Sequence, residues 1–240
     1  MKVSSFFALL STGMALAYIS CNSGENKTTT DTTTVKPEEP AVVNTIVTTP
    51  QTMMVVRHKV KSFAAWFPAY EAHDSVRLKY GLHSYVVSRA LDDSNMVMVA
   101  LKAEDADKAL AFGKDPSLKT AMQKGGVVGA PTINLNTIVW QDTVNVGGIP
   151  RVLTELTVKD WDTWKTKFAE GKQERKDNGI VDRQYGHDVK DNHKVSLVTA
   201  LTDTAKAFAY WKSDALKKRR EESGVIGEPK RFIFKIAKRY

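Results

Sequence analysis

The second half of this chain lies over the first at one constant offset, without a gap. Val60-Lys61 falls on Val158-Lys159, Trp66 on Trp164, Arg77 on Arg175 and Gly81 on Gly179. The match continues through Asp93 and Asp191, Val97 and Val195, Ala111 and Ala209, Leu118 and Leu216, to Gly126-Val127 on Gly224-Val225. Gly129 and Pro131 then meet Gly227 and Pro229. A solenoid needs three or more stacked repeats to close a core, so two copies describe a duplicated domain.

Each copy reads through the same series of elements. Met53 to Val60 and Arg151 to Val158 alternate loosely and are strand-like. Ser62 and Asp160 stand as N-caps before Phe63, Trp66, Phe67 and Tyr70, or Trp161, Trp164 and Phe168, whose spacing makes one helical face. Gly81 and Gly179 end these helices, and Pro68 is expected to bend the first. Strands follow at Leu82 to Ala90 and Met96 to Leu101, and at Ile180 to His187 and Lys194 to Ala200. A helical stretch broken near Asp115-Pro116 or Ser213-Asp214 leads to Gly126 or Gly224, then to a last strand, Thr132 to Trp140 or Lys230 to Ile236. The order is βαββαβ, an α+β split βαβ unit of ferredoxin-like type.

V-K-[SD]-[FW]-x-x-W after the first strand, the glycine closing the first helix, the hairpin, and G-V-[VI]-G-x-P before the last strand resemble the dimeric α/β-barrel superfamily, antibiotic-biosynthesis-monooxygenase type. The resemblance implies two facing sheets around a barrel. In tandem copies it implies an intramolecular barrel, a monomer with an internal pseudodimer. The expected boundaries are 53–141 for the first repeat, 142–149 for a linker and 150–240 for the second.

The segment ahead of the repeats points to export. Lys2, an apolar run from Phe6 to Ile19, Ser20 and the sole cysteine, Cys21, have the layout of a signal peptide over 1–20. The run is shorter than the ~20 residues of a membrane span. Cys21 after a small residue resembles the lipobox of bacterial lipoproteins, with Tyr18 where such boxes carry a Leu-like residue. That resemblance implies lipidation of Cys21, membrane attachment through it, and a place at the cell envelope, on the outer membrane or the periplasmic face. The Thr- and Pro-rich stretch 21–52 reads as a tether.

Motifs that would name a reaction do not stand out. The glycines at Gly126 follow a helix, whereas phosphate sites sit at helix N-termini, so they read as a cap and turn. No G-x-S-x-G or G-x-G-x-x-G occurs. The five histidines show no metal-ligand spacing, which leaves only a cross-strand set of His58, His83 and His187, and no metal or other cofactor is expected. The net charge of +8 gathers at Lys217-Lys218-Arg219-Arg220 and in Lys230, Arg231, Lys235, Lys238 and Arg239. It reads as a solvated face with weak attraction to anionic membrane, and nucleic acid is not an expected partner.

What remains is the barrel interior. Val56, His58 and Val60, like Thr154, Leu156 and Val158, form a mostly apolar set that packs on helices, which makes His58 a core histidine and turns Arg57 and Glu155 inward. Alternation puts His83, Tyr85 and Arg89 on one face, matched by Arg183, Tyr185 and His187, with Asn134 and Asn136 joining from the fourth strand. The second copy has Phe232 and Phe234 there. Convergent polar groups in a partly apolar space suit a small organic ligand, partly aromatic. The bland alternative is that Arg57 and Glu155 pair and the rest are solvated or satisfied in a packed interior. Two functions stand: a tethered binding module, with Glu155, Arg89, Arg183, Tyr185, Asn134 and Asn136 as contacts, or a cofactor-independent monooxygenase acting on a phenol or quinol. The second is what the family resemblance implies, with His83, Tyr85, Arg57 and His187 as base or hydrogen-bond donors.

Overall fold

The computed structural model describes residues 44–240. The expected signal peptide over 1–20 and Cys21 lie outside the described residues. The first repeat comprises β2 (Gln51–Val60), α1 (Phe63–Ala72), α2 (Asp74–Lys79), β3 (Leu82–Ala90), β4 (Met96–Ala103), α3 (Ala106–Phe112), α4 (Pro116–Lys124) and β5 (Val127–Asp142), preceded by the short β1 (Ile46–Val47). The second comprises β6 (Arg151–Val158), α5 (Trp161–Glu170), α6 (Lys172–Asp177), β7 (Ile180–Asp188), β8 (Lys194–Leu201), α7 (Thr204–Trp211), α8 (Asp214–Glu222) and β9 (Val225–Arg239). β1 lies within the stretch read as a tether, and its Ile46 pairs with Asp142 of β5. Regular structure therefore starts ahead of Met53.

Both N-caps form as the sequence requires. The Ser62 hydroxyl accepts from the Ala65 N–H at 3.4 Å and the Asp160 carboxylate from the Thr163 N–H at 2.7 Å. Pro68 lies inside α1, which continues past it to Ala72, and the helical stretch is interrupted at His73. The second repeat is interrupted at the matching Gly171, although Thr166 stands where Pro68 does. An interruption shared by both copies does not have proline as its cause. Gly81 and Gly179 adopt φ of +64° and +71°, the left-handed backbone that lets the chain turn into β3 and β7.

The strands form one antiparallel sheet in the order β1-β5-β2-β4-β3-β9-β6-β8-β7, closed on itself because β5 also pairs with β7. Each repeat sends its long last strand to the other, β9 onto β3 and β5 onto β7. At the β5–β7 seam a Cβ on Gly186 would lie 2.0 Å from the Thr137 carbonyl oxygen, so only glycine admits this approach. The last strands begin earlier than expected. The G-V-V-G-A-P run is part of β5, where the pairing shifts between Arg57 and Lys59, and not a turn ahead of it.

Alternation along β2 divides the apolar residues between two cores. Met54, Val56 and Val60 meet Trp66, Leu82, Phe112 and Leu135 beneath the helices. Met53 and Val55 meet Val86, Met98, Ile138, Leu153 and Phe234 inside the barrel. The barrel core draws on both repeats, which makes each half dependent on the other for burial. Cavities border this core on the side of Arg57 and Glu155 and on the side of Arg151 and Arg183.

Candidate functional site

β3 and β7 do not keep the alternation that their sequences suggest. Pairing with the neighbouring strand shifts between Ser84 and Val86, and at the matching place between Asp182 and Gln184. One extra residue in a strand moves every later side chain to the other face. Tyr85 and Val86 therefore both border the lumen, as do Arg183 and Gln184. Beyond the shift, Arg89 lies on the helix side, its guanidinium 4.4 Å from the Phe63 ring centroid and its Nε donating to the Ser94 carbonyl at 2.6 Å. Its counterpart His187 stands edge-on to Trp161 at 4.8 Å, and Tyr185 packs among Trp140, Trp161, Trp164 and Phe168. His83 is exposed and pairs with Glu104 at 2.7 Å. The expected lumen positions of His83, Arg89, Tyr185 and His187 are thus corrected.

The other expected residues gather at opposite ends of the barrel. At one end Arg57, Asn134, Asn136 and Glu155 border an open, polar cavity of about 440 Å³. Arg57 Nη2 donates to both Glu155 oxygens, at 2.7 and 3.0 Å, and Asn134 Nδ2 donates to Oε1 at 2.6 Å. Arg57 and Glu155 occupy equivalent positions in the two repeats, so the internal twofold axis passes between two opposite charges. At the other end stand Tyr85 and Arg183 with Gln141, Arg151 and Arg239. The proposed oxygenase residues His83, Tyr85, Arg57 and His187 are therefore not brought together. His58, His83 and His187 likewise lie apart.

A further cavity, not foreseen, lies under the helices of the first repeat. It measures about 60 Å³ and is bordered by Val56, His58, Trp66, Tyr70, Arg77 and Phe112, among others. His58 is only 6% exposed, with its ring 5.4 Å from that of Trp66. Neither imidazole nitrogen has a hydrogen-bond partner. Burial pushes its pKa down to about 4, so the ring is neutral at pH 7. Arg77 donates to the Tyr70 carbonyl at 2.7 Å and to Asp74 at 2.9 Å while its buried Nε has no partner. The Tyr70 hydroxyl lies 2.7 Å from that of Ser84, and burial, foremost, raises its pKa.

The matching cavity of the second repeat, about 90 Å³, has Leu156 in place of His58. Asp182 replaces Ser84 and accepts from Arg175 Nε and Nη2 at 2.8 and 2.6 Å, while Nη1 donates to the Phe168 carbonyl. Burial, then the nearby Glu174, pushes the Tyr210 hydroxyl on that side up to about 12. The difference between His58 and Leu156 was the available signal for the first-repeat site. It is visible once the copies are aligned, but it carries no chemistry until burial and missing partners are known.

No protein-family model and no curated protein matches the sequence. Solved structures do. An anthrone oxidase-like protein is similar with a TM-score of 0.57 and 12% identity over 80% of this chain and 94% of that one. A candidate monooxygenase of Fusobacterium nucleatum gives 0.52 and 14%, over 79% and 93%. A candidate chlorite dismutase gives 0.50 and 12%, over 79% and 95%. At such identities the likeness is one of fold. The chain has the dimeric α/β-barrel fold, built from two tandem ferredoxin-like repeats in one polypeptide.

Proposed function

We propose that this protein binds a small aromatic molecule carrying a hydroxyl group, in the cavity beneath the first repeat's helices, with His58 accepting the ligand's hydrogen bond. The carrying observation is the pair of buried, unpartnered nitrogens on His58. A buried polar group without a partner costs about 1–3 kcal/mol, and a ligand O–H supplies the missing donor. The walls are apolar and aromatic, and the cavity is far below the ~300–1,000 Å³ of sites for drug-sized molecules, which limits the ligand to about one ring. As part of the same reading, the protein is exported and held at the cell envelope by lipid on Cys21, which places the binder where it samples molecules outside the cytoplasm.

The oxygenase reading requires a base that removes a phenolic proton. With a pKa of about 4, His58 lies roughly six units below a phenol, so it accepts a hydrogen bond but does not take the proton at neutral pH. Calorimetric titration with phenol and its methyl ether tests the binding reading. Phenol is expected to bind, the ether more weakly, and His58→Leu, the residue of the second repeat, to lose the preference. Equal affinity for phenol and ether would sink it. Oxygen uptake with a quinol panel would restore the oxygenase.

A further inference from the structure

We infer that the barrel end opposite Arg57 and Glu155 is a receptor for a small carboxylate. This site is separate from the His58 cavity and does not depend on it. Three guanidiniums, of Arg151, Arg183 and Arg239, border a cavity of about 50 Å³ there against a single carboxylate, Asp142. That carboxylate is engaged by Arg183 at 3.1 Å and also accepts from Thr45 at 2.8 Å and the Val144 N–H at 2.9 Å. Arg151 is 6% exposed and its Nε and Nη2 have no partner. Burial, then the charges of Arg239 and Arg183, bring its pKa down to about 10, which still leaves it protonated at pH 7. A buried cation without a counter-ion is strongly unfavourable, and an anion in the cavity removes that penalty.

The surrounding groups select the kind of anion. Gln141 Nε2 donates to the Tyr85 hydroxyl oxygen at 2.7 Å, which leaves the Tyr85 O–H as a further donor. A guanidinium presents parallel N–H groups that match a planar carboxylate. Below the arginines the floor is apolar, formed by Val55, Leu153 and Phe234, and suits a short alkyl group. In the first repeat, Met53, Tyr85 and Gln141 stand where the second has Arg151, Arg183 and Arg239, so the charge comes from one copy alone.

Ligand-observed NMR and calorimetry on the full chain at pH 7, at constant ionic strength, test this with propionate, its neutral analogue propionamide, sulfate and nitrate. Propionate is expected to bind and propionamide not. Arg151→Met, which installs the first-repeat residue, is expected to weaken propionate by about tenfold or more, as loss of a charge-assisted pair implies. Arg239→Gln, at the exposed rim, should weaken it by a smaller factor, and it carries the test if Arg151→Met does not fold. Unchanged affinity in the variant tested, or equal binding of propionamide, would overturn the proposal. Sulfate or nitrate binding as tightly as propionate would overturn the carboxylate assignment.

Discussion

The two repeats share a frame and differ in how they satisfy it. Arg77 and Arg175 both sit over an aromatic ring, at 3.9 Å from the Tyr70 centroid and 3.5 Å from the Phe168 centroid. Both also donate to the backbone carbonyl of that aromatic residue. In the second repeat Asp182 completes the arginine's partners, and Leu156 leaves no polar atom at the neighbouring strand position. In the first, Ser84 bonds Tyr70 instead, Arg77 keeps an unpartnered Nε, and His58 brings two more unpartnered nitrogens. Near the Arg151 end the roles reverse, and the second repeat carries the unpaired charge. Duplication thus lets equivalent positions of the two copies satisfy their polar atoms differently, a division a symmetric homodimer cannot make.

Asp182 is the residue whose loss is expected to change the second repeat most. Replacing it by serine, the first-repeat residue, leaves two buried guanidinium nitrogens of Arg175 without partners and is expected to cost about 3–5 kcal/mol, measured by urea unfolding. A loss below about 1 kcal/mol would mean that the two arginines are not held differently.

The next effect concerns pH. His58 has a folded pKa of about 4 against 6.5 for an ordinary histidine, so the unfolded chain takes up the proton first as the solution is acidified. Stability present above pH 6.5 is then lost progressively down to about pH 4, by up to about 3 kcal/mol. Unfolding curves of wild type and His58→Leu across this window should diverge, with the variant lacking that part of the slope. Parallel pH profiles would show that His58 is not buried as a neutral ring.

The smallest effect lies on the internal axis. Glu155→Arg makes the position symmetric and sets two cations together at a site about one-fifth exposed, at a cost of about 1–3 kcal/mol. The double exchange Arg57→Glu with Glu155→Arg is expected to recover most of it. If the double variant is as unstable as the single one, the pair is not the interaction that joins the halves at this end.

Much of the frame is legible in the chain. The ungapped repeat, the two N-caps and the glycines at Gly81 and Gly179 give the βαββαβ order, and the apolar set around Val56 turns Arg57 and Glu155 inward. The site was only partly legible. Arg57, Glu155, Asn134 and Asn136 come together as alternation implies, because Arg57, Asn134 and Asn136 lie in the unbroken part of the β2–β5 register and Glu155 in the unbroken β6–β8 register. Arg89, Tyr185 and His187 do not, because a one-residue shift in pairing leaves no mark on composition and reverses the face of every later side chain in the strand, and His83, ahead of the shift, stands at the exposed end of β3 against Glu104. His58 reads as an ordinary core histidine until its missing partners are seen.

The repeat, the order of elements and the two faces of β2 and β6 follow from local caps and periodicity and are therefore readable in the chain, whereas the faces of β3 and β7 are not. Tertiary structure alone decided which polar atoms have partners, because that depends on residues far apart in the chain. It set Arg175 against Asp182, left His58 and Arg151 without partners, and placed Tyr85 and Arg57 at opposite ends of one barrel.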